Sequence, residues 1–227
     1  MINKEYIEHN GKKISYSQLT NSFLITGDSV LLSDFIDIKQ KDKMIIDIGT
    51  GQGLIPLLLS TRTNMKIYGI EIQNELSSIA IDNVNENNLT NQIEIINDQV
   101  QNYRKYFTPH SLDIVVSNPP YFKIETKSRT NDLLTKTISR HELKLTFEEL
   151  AYCSSQLLKQ NGHFYFIHRT DRLIEIIETL KKYKLEPKRI KFIYSNNNNN
   201  SSLFLLDSVY YGKEGLKVEP PVFLERE

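Results

Sequence analysis

The amino-acid sequence predicts an α/β protein, with a mostly parallel seven-stranded sheet, helices on both faces and an antiparallel strand pair at one edge. Three observations carry this expectation. From Met44 onward, short apolar runs of strand length alternate with segments of helical periodicity. A glycine turn, Gly49-Thr50-Gly51-Gln52-Gly53, joins the first of these strands to the first of these helices. The connection from Ser195 to Ser202 is too short for a helical crossover, so the last two strands should form a hairpin.

The elements follow in order. Residues 1–40 read as an extension before the main domain at 41–227. In it, Asn10-Gly11 lies between Tyr6-Ile7-Glu8-His9 and Lys12-Lys13-Ile14-Ser15-Tyr16, and Asn-Gly suits the φ > 0 of a two-residue I′ turn. Asp28 is placed to cap a short apolar helix through Val30, Leu31, Leu32 and Phe35. Residues 44–48 form the first strand and 54–60 its helix. Residues 66–71 are the second strand, and 75–87 a helix with Leu76, Ile79, Ala80 and Val84 on one face. The third and fourth strands occupy 93–96 and 112–116. Thr146-Phe147-Glu148-Glu149 has the spacing of a capping box and opens a helix reaching Leu158. A fifth strand at 163–167, a basic-ended helix at 171–182 and strands at 190–194 and 203–209 complete the pattern. The asparagine run at 196–200 reads as a solvated loop.

Composition sets outer bounds. With 39% hydrophobic and 25% charged residues, the 227-residue chain suits one globular domain with a short appendage. The longest apolar stretch, around Leu57–Leu59, falls far short of the roughly 20 residues a membrane helix needs. The N-terminus has no apolar signal core, so a cytoplasmic location is expected. A lone Cys153 excludes an intramolecular disulfide and a cysteine-based zinc cluster, and beside Leu150, Ala151 and Leu157 it reads as a core thiol. His9, His110, His163 and His168 share no ligand spacing, so no metal is expected. Lys plus Arg and Asp plus Glu both total 28, which removes any global positive field. A nucleic-acid partner would have to be held by a local patch.

The first chemical signal is Asp47-Ile48-Gly49-Thr50-Gly51-Gln52-Gly53. Its G-x-G-x-G spacing differs from the dinucleotide fingerprint, and no Gly-Lys-Ser/Thr follows to make a P-loop. A carboxylate at Asp47 would repel a phosphate and suits a ligand carrying an ammonium and a sulfonium. Glu71 ends the second strand, where an acidic side chain can hold both ribose hydroxyls, and Asp98 past the third strand can accept from an adenine amino group. Together these positions resemble the class I S-adenosylmethionine-dependent methyltransferases, which implies their Rossmann-like fold and S-adenosyl-L-methionine as cofactor.

The second signal is Asn118-Pro119-Pro120-Tyr121 after the fourth strand. Two prolines explain a rigid turn, but not the flanking Asn and Tyr. The tetrapeptide resembles the motif of methyltransferases acting on planar amino or amide nitrogens. An adenine amine is a poor nucleophile because its lone pair is delocalised. The Asn118 side-chain oxygen and the Pro119 carbonyl can each accept one of its N–H bonds, while Tyr121 stacks on a flipped-out base beside Pro120.

Past the tetrapeptide, Lys123, Lys127, Arg129, Lys136, Arg140 and Lys144 form a basic rim, and a second basic cluster runs from Lys181 to Lys191. Ser139-Arg140-His141-Glu142, Leu145 to Leu150, Phe23 to Phe35, Gly162 to Arg172 and Leu185 to Ile190 look like the tRNA1(Val) adenine-37 N6-methyltransferase family. That resemblance implies a bacterial cytoplasmic enzyme that methylates the adenine beside the anticodon of a valine tRNA, with Arg140 and His141 contacting tRNA; a monomer is expected. The asparagine insertion departs from the family pattern. A guanine N2 rRNA enzyme remains an alternative. So do a protein glutamine N5-methyltransferase, disfavoured by the short segment before the glycine loop, and a non-catalytic cofactor-binding RNA module, disfavoured by the retained Asn118, Asp47 and Glu71.

Overall fold

The computed structural model describes residues 2–19, 27–119, 145–195 and 200–224. The chain opens with β1 (Ile2–His9) and β2 (Lys12–Leu19), antiparallel around Asn10 and Gly11, whose φ values of 49° and 70° are those of the expected I′ turn. Then come α1 (Gly27–Phe35), β3 (Met44–Ile48), α2 (Leu54–Ser60), β4 (Lys66–Glu71), α3 (Asn74–Glu86), β5 (Ile93–Asn97) and β6 (Leu112–Ser117). They are followed by α4 (Phe147–Leu157), β7 (Leu158–Arg169), α5 (Leu173–Lys182), β8 (Leu185–Ser195) and β9 (Leu203–Tyr210). The capping box is formed: Glu149 N donates to Thr146 Oγ1 at 3.2 Å, and Thr146 N donates back to Glu149 Oε2 at 2.8 Å.

The seven expected strands lie in one sheet in the order β5-β4-β3-β6-β7-β9-β8, and only β9 runs antiparallel to its neighbours. The C-terminal segment adds two short strands that were not expected, β10 (Lys217–Val218) and β11 (Val222–Leu224), both parallel to β8. Strand β7 starts five residues earlier than expected, because Leu158 already pairs with Leu112 before a register shift lets the polar 159–162 stretch bulge. A 3-10 turn at Val100–Lys105 was also absent from the sequence reading.

Helices α1 to α3 and the hairpin cover one sheet face around Leu32, Phe35, Leu57 and Val84. Helices α4 and α5 cover the other around Leu150, Leu157, Ile176 and Leu180. Cys153 is buried in the second layer, and burial pushes its thiol up to about 11, an inert group. Among the described residues no helix is long and apolar enough to cross a membrane.

The hairpin is fastened by side-chain amides. Fully buried Asn83 of α3 accepts from Ser17 N at 2.8 Å and donates to Ser17 O at 3.0 Å and Gln52 O at 2.9 Å. Asn87 accepts from Ser15 N and donates to Ser15 O, and Gln52 Oε1 accepts from Leu19 N. Asn83→Leu should therefore strand the Ser17 amide and carbonyl and cost about 2–4 kcal/mol. A lowered Tm, with accelerated amide exchange at Ser17, checks this.

Candidate active site

Along the sheet, β3 grows towards β4 and β5 on one side, while β6 starts the other side. The carboxyl ends of β3 and β6 thus flank a switch-point crevice, the place where open α/β sheets bind ligands. Asp47 and the glycine loop stand at one lip and Asn118-Pro119 at the other. Ser117 Oγ donates to Ile48 O at 2.8 Å and ties the two lips together.

The glycine loop takes backbone angles that side chains resist. Gly49 and Gly51 have φ of 72° and 57°, and a Cβ at either would enter open space in front of the loop. The amides of Gly49 and Thr50 both donate to Ile70 O, at 2.9 and 3.1 Å. Gly51 N donates to Glu71 Oε2 at 3.0 Å and Gln73 N to Glu71 Oε1 at 2.8 Å, so buried Glu71 braces the loop it faces. Burial raises the Glu71 carboxyl, and these backbone donors oppose the rise. Gly53, at φ 83°, precedes α2, where a Cβ would come 3.2 Å from Ala80 Cβ of α3.

Asp47 is 1% exposed, and among the described residues neither of its carboxylate oxygens has a hydrogen-bond partner. Burial pushes this carboxyl up to about 7. The nearby Thr50 hydroxyl opposes the rise, and the Glu71 charge adds to it to a lesser degree. A buried carboxyl left unmet is costly and calls for a cationic partner. The loop, the open space before it and this carboxyl fit a ligand with an ammonium group and a sulfonium, and they do not fit a phosphate.

Asp98 stands at its strand end, but its carboxylate is a hub. Asn102 Nδ2 and Gln99 N donate to Oδ1 at 2.7 and 2.8 Å, and Tyr106 OH and Lys105 Nζ to Oδ2 at 2.9 and 3.0 Å. The Asn102 bond first, then Lys105 and Tyr106, hold it well below the usual carboxylate range. At the other lip, half-buried Asn118 donates through Nδ2 to Ser29 Oγ of α1 at 3.3 Å. Pro120, Tyr121, Arg140, His141 and the basic rim from Lys123 to Lys144 lie outside the described residues, as do residues 196–199 of the asparagine run.

Sequence reasoning considered His168 only as a metal ligand and missed its place. It is buried near the carboxyl end of β7, next to β6, with Phe147 edge-on at 5.8 Å. Burial, aided by the Arg172 charge, pushes its pKa down to about 4, so it is a neutral imidazole packed beneath α4. No local pattern marks it, because its placement depends on β7 pairing with β6.

Residues 24–182, well over half of the chain, match the family model described as methyltransferase small domain. The chain belongs to this family. A tRNA1(Val) (adenine(37)-N6)-methyltransferase of Phocaeicola vulgatus is 30% identical to this methyltransferase over 179 residues, 79% of this chain and 74% of that protein. One from Cytophaga hutchinsonii is 26% identical over 185 residues, 82% of this chain and 76% of that one. A crystal structure described as a predicted O-methyltransferase from Agrobacterium tumefaciens superposes with a TM-score of 0.68 at 17% identity, covering 86% of each chain, which shows the shared fold.

Proposed function

We propose that this methyltransferase uses S-adenosylmethionine to methylate N6 of an adenine in tRNA, at position 37 beside the anticodon of a valine tRNA. The observation that carries the reading is the pairing, across one crevice, of an unmet buried carboxyl at Asp47 with the Asn118-Pro119 corner. The activity in the names of the Phocaeicola and Cytophaga relatives supports the choice of acceptor.

Asp47 holds the ammonium group, and Gly49 and Gly51 leave room for close backbone approach. Glu71 accepts from the ribose hydroxyls with the lone pairs its backbone donors leave over. An adenine amino group reaches Asp98 by displacing one of its two exposed donors, Lys105 or Tyr106. When bound, S-adenosylmethionine supplies an electrophilic methyl carbon on a good leaving group. Asn118 Oδ1 and the Pro119 carbonyl take one N–H each of the acceptor amine, orient its lone pair and stabilise the positive charge that develops on nitrogen. Pro120 and Tyr121 form the base platform, and the surplus proton departs to water. Arg140 and His141 supply tRNA contacts. The reading includes a monomer acting in the cytoplasm and residues 1–40 as an extension of the catalytic domain.

Incubation with tritiated S-adenosylmethionine and unmodified bulk tRNA should yield labelled N6-methyladenosine after nuclease digestion. Label in rRNA or in protein instead would overturn the assignment.

A further inference from the structure

We infer that the N-terminal hairpin is a working part of the cofactor subsite: Gln52 and Asn83 are positioning residues that lock the glycine loop to β2, so that cofactor binding and hairpin docking reinforce one another. This rests on the reading of the glycine loop as the S-adenosylmethionine site. A loop with three glycines in five residues loses much backbone freedom when it is fixed, so whatever fixes it beforehand adds to ligand affinity. Part of the fixing comes from Ile70 O and the Glu71 carboxylate on β4. The rest comes from α3 and β2.

Positions 80, 83 and 87 share one face of α3. Ala80 lies against Gly53, and Asn83 Nδ2 donates to Gln52 O at 2.9 Å. Gly53 N donates to Thr50 O at 3.0 Å, so the peptide between residues 52 and 53 is held at both ends. The same Asn83 carboxamide grips Ser17 N and Ser17 O, and Asn87 grips Ser15 in like manner. From the loop, buried Gln52 reaches back to the strand, where its Oε1 accepts from Leu19 N at 3.1 Å. Every partner in these bonds is a main-chain group with a fixed donor or acceptor role, which decides the direction of each carboxamide. The contacts therefore close a circuit from loop to α3, from α3 to strand, and from strand back to loop. Detaching β2 releases the Gln52 side chain, and loosening the loop releases Leu19. By linkage, a ligand that needs the ordered loop tightens the strand by the factor by which the strand tightens the ligand.

The test uses the full chain without tRNA. Gln52→Met keeps the length of the side chain and loses the acceptor. Leu19→Pro removes the donor at a position whose N–H points away from β1, so no ladder bond is lost. Each should weaken S-adenosylmethionine binding, read by calorimetry, about fivefold, the factor that one ordinary hydrogen bond is worth. The double variant should bind no more weakly than the weaker single one. In the parent, saturating S-adenosylmethionine should slow amide exchange at Ser17 by about fivefold or more relative to amides of β8, and Gln52→Met should shrink that slowing. If the parent binds S-adenosylmethionine and Gln52→Met binds within about twofold of it, the inference falls and the cofactor reading stands. A parent that binds no S-adenosylmethionine would bring down both. Weakened affinity without any response at Ser17 would mean that Gln52 acts on the cofactor independently of the strand, and would overturn the inference, as would additive losses in the double variant.

Discussion

Asn118→Ala loses methyl transfer by about 10²–10³-fold or more, while isothermal calorimetry still registers S-adenosylmethionine at nearly the parent affinity. The size follows from the role proposed for Asn118: a preorganised acceptor aimed at charge that appears only as the methyl group moves, in a half-buried corner. The split between turnover and affinity follows from the geometry. The carboxamide leans on Ser29 at its own lip of the crevice, whereas the unmet carboxyl and the glycine loop occupy the other. Because Asn118 precedes Pro119 at a strand end, its removal leaves the strand ladder intact. If cofactor affinity vanished together with turnover, Asn118 would belong to the cofactor subsite.

Asp47→Asn should do two opposite things. It weakens S-adenosylmethionine binding by about 10²-fold or more, since a buried cation then lacks its counter-charge. It also stabilises the ligand-free protein at pH 8. Asp47 is an acid whose pKa is raised by folding from 3.8 to about 7, so its ionised form is the one disfavoured in the native state. With respect to this group, stability is greatest below pH 3.8, declines as pH climbs towards about 7, and is level above. The full decline corresponds to about 4 kcal/mol, an upper bound on the gain in the variant. Urea unfolding of ligand-free parent and variant at pH 4 and pH 8 reads the difference directly. In the parent, S-adenosylmethionine affinity should rise with pH until Asp47 is ionised and then flatten. A variant no more stable than the parent at pH 8 would mean that Asp47 meets a donor in solution.

Much of this arrangement was legible in the sequence because local chemistry punctuates it. The Asn10-Gly11 turn, the glycine loop and the Thr146–Glu149 capping box each mark a boundary by the angles or donors they require, and the observed elements begin and end there. Asp47 and Glu71 could be placed because strand ends in a parallel sheet converge on one edge. What stayed hidden depends on contacts distant in sequence. The apolar run predicts a strand only at 163–167, yet Leu158 already belongs to β7 through its pairing with Leu112. Two-residue β10 has no periodicity to detect. The ring of donors around Asp98 arises only once a 3-10 turn brings Asn102, Lys105 and Tyr106 back over it. The Ser29–Asn118 bond and the neutral state of His168 likewise follow from packing alone.

The amide brackets on β2 have a bearing on how this molecule behaves in a crowded cell. Ser15, Ser17 and Leu19 aim their main-chain groups away from β1, along what would otherwise be a naked strand rim. Because Asn87, Asn83 and Gln52 already engage the rim from Ser15 to Leu19, that stretch is a poor template for a stray extended peptide or a neighbour's hairpin. The more open border for self-association of the N-terminal hairpin is the opposite one, along β1.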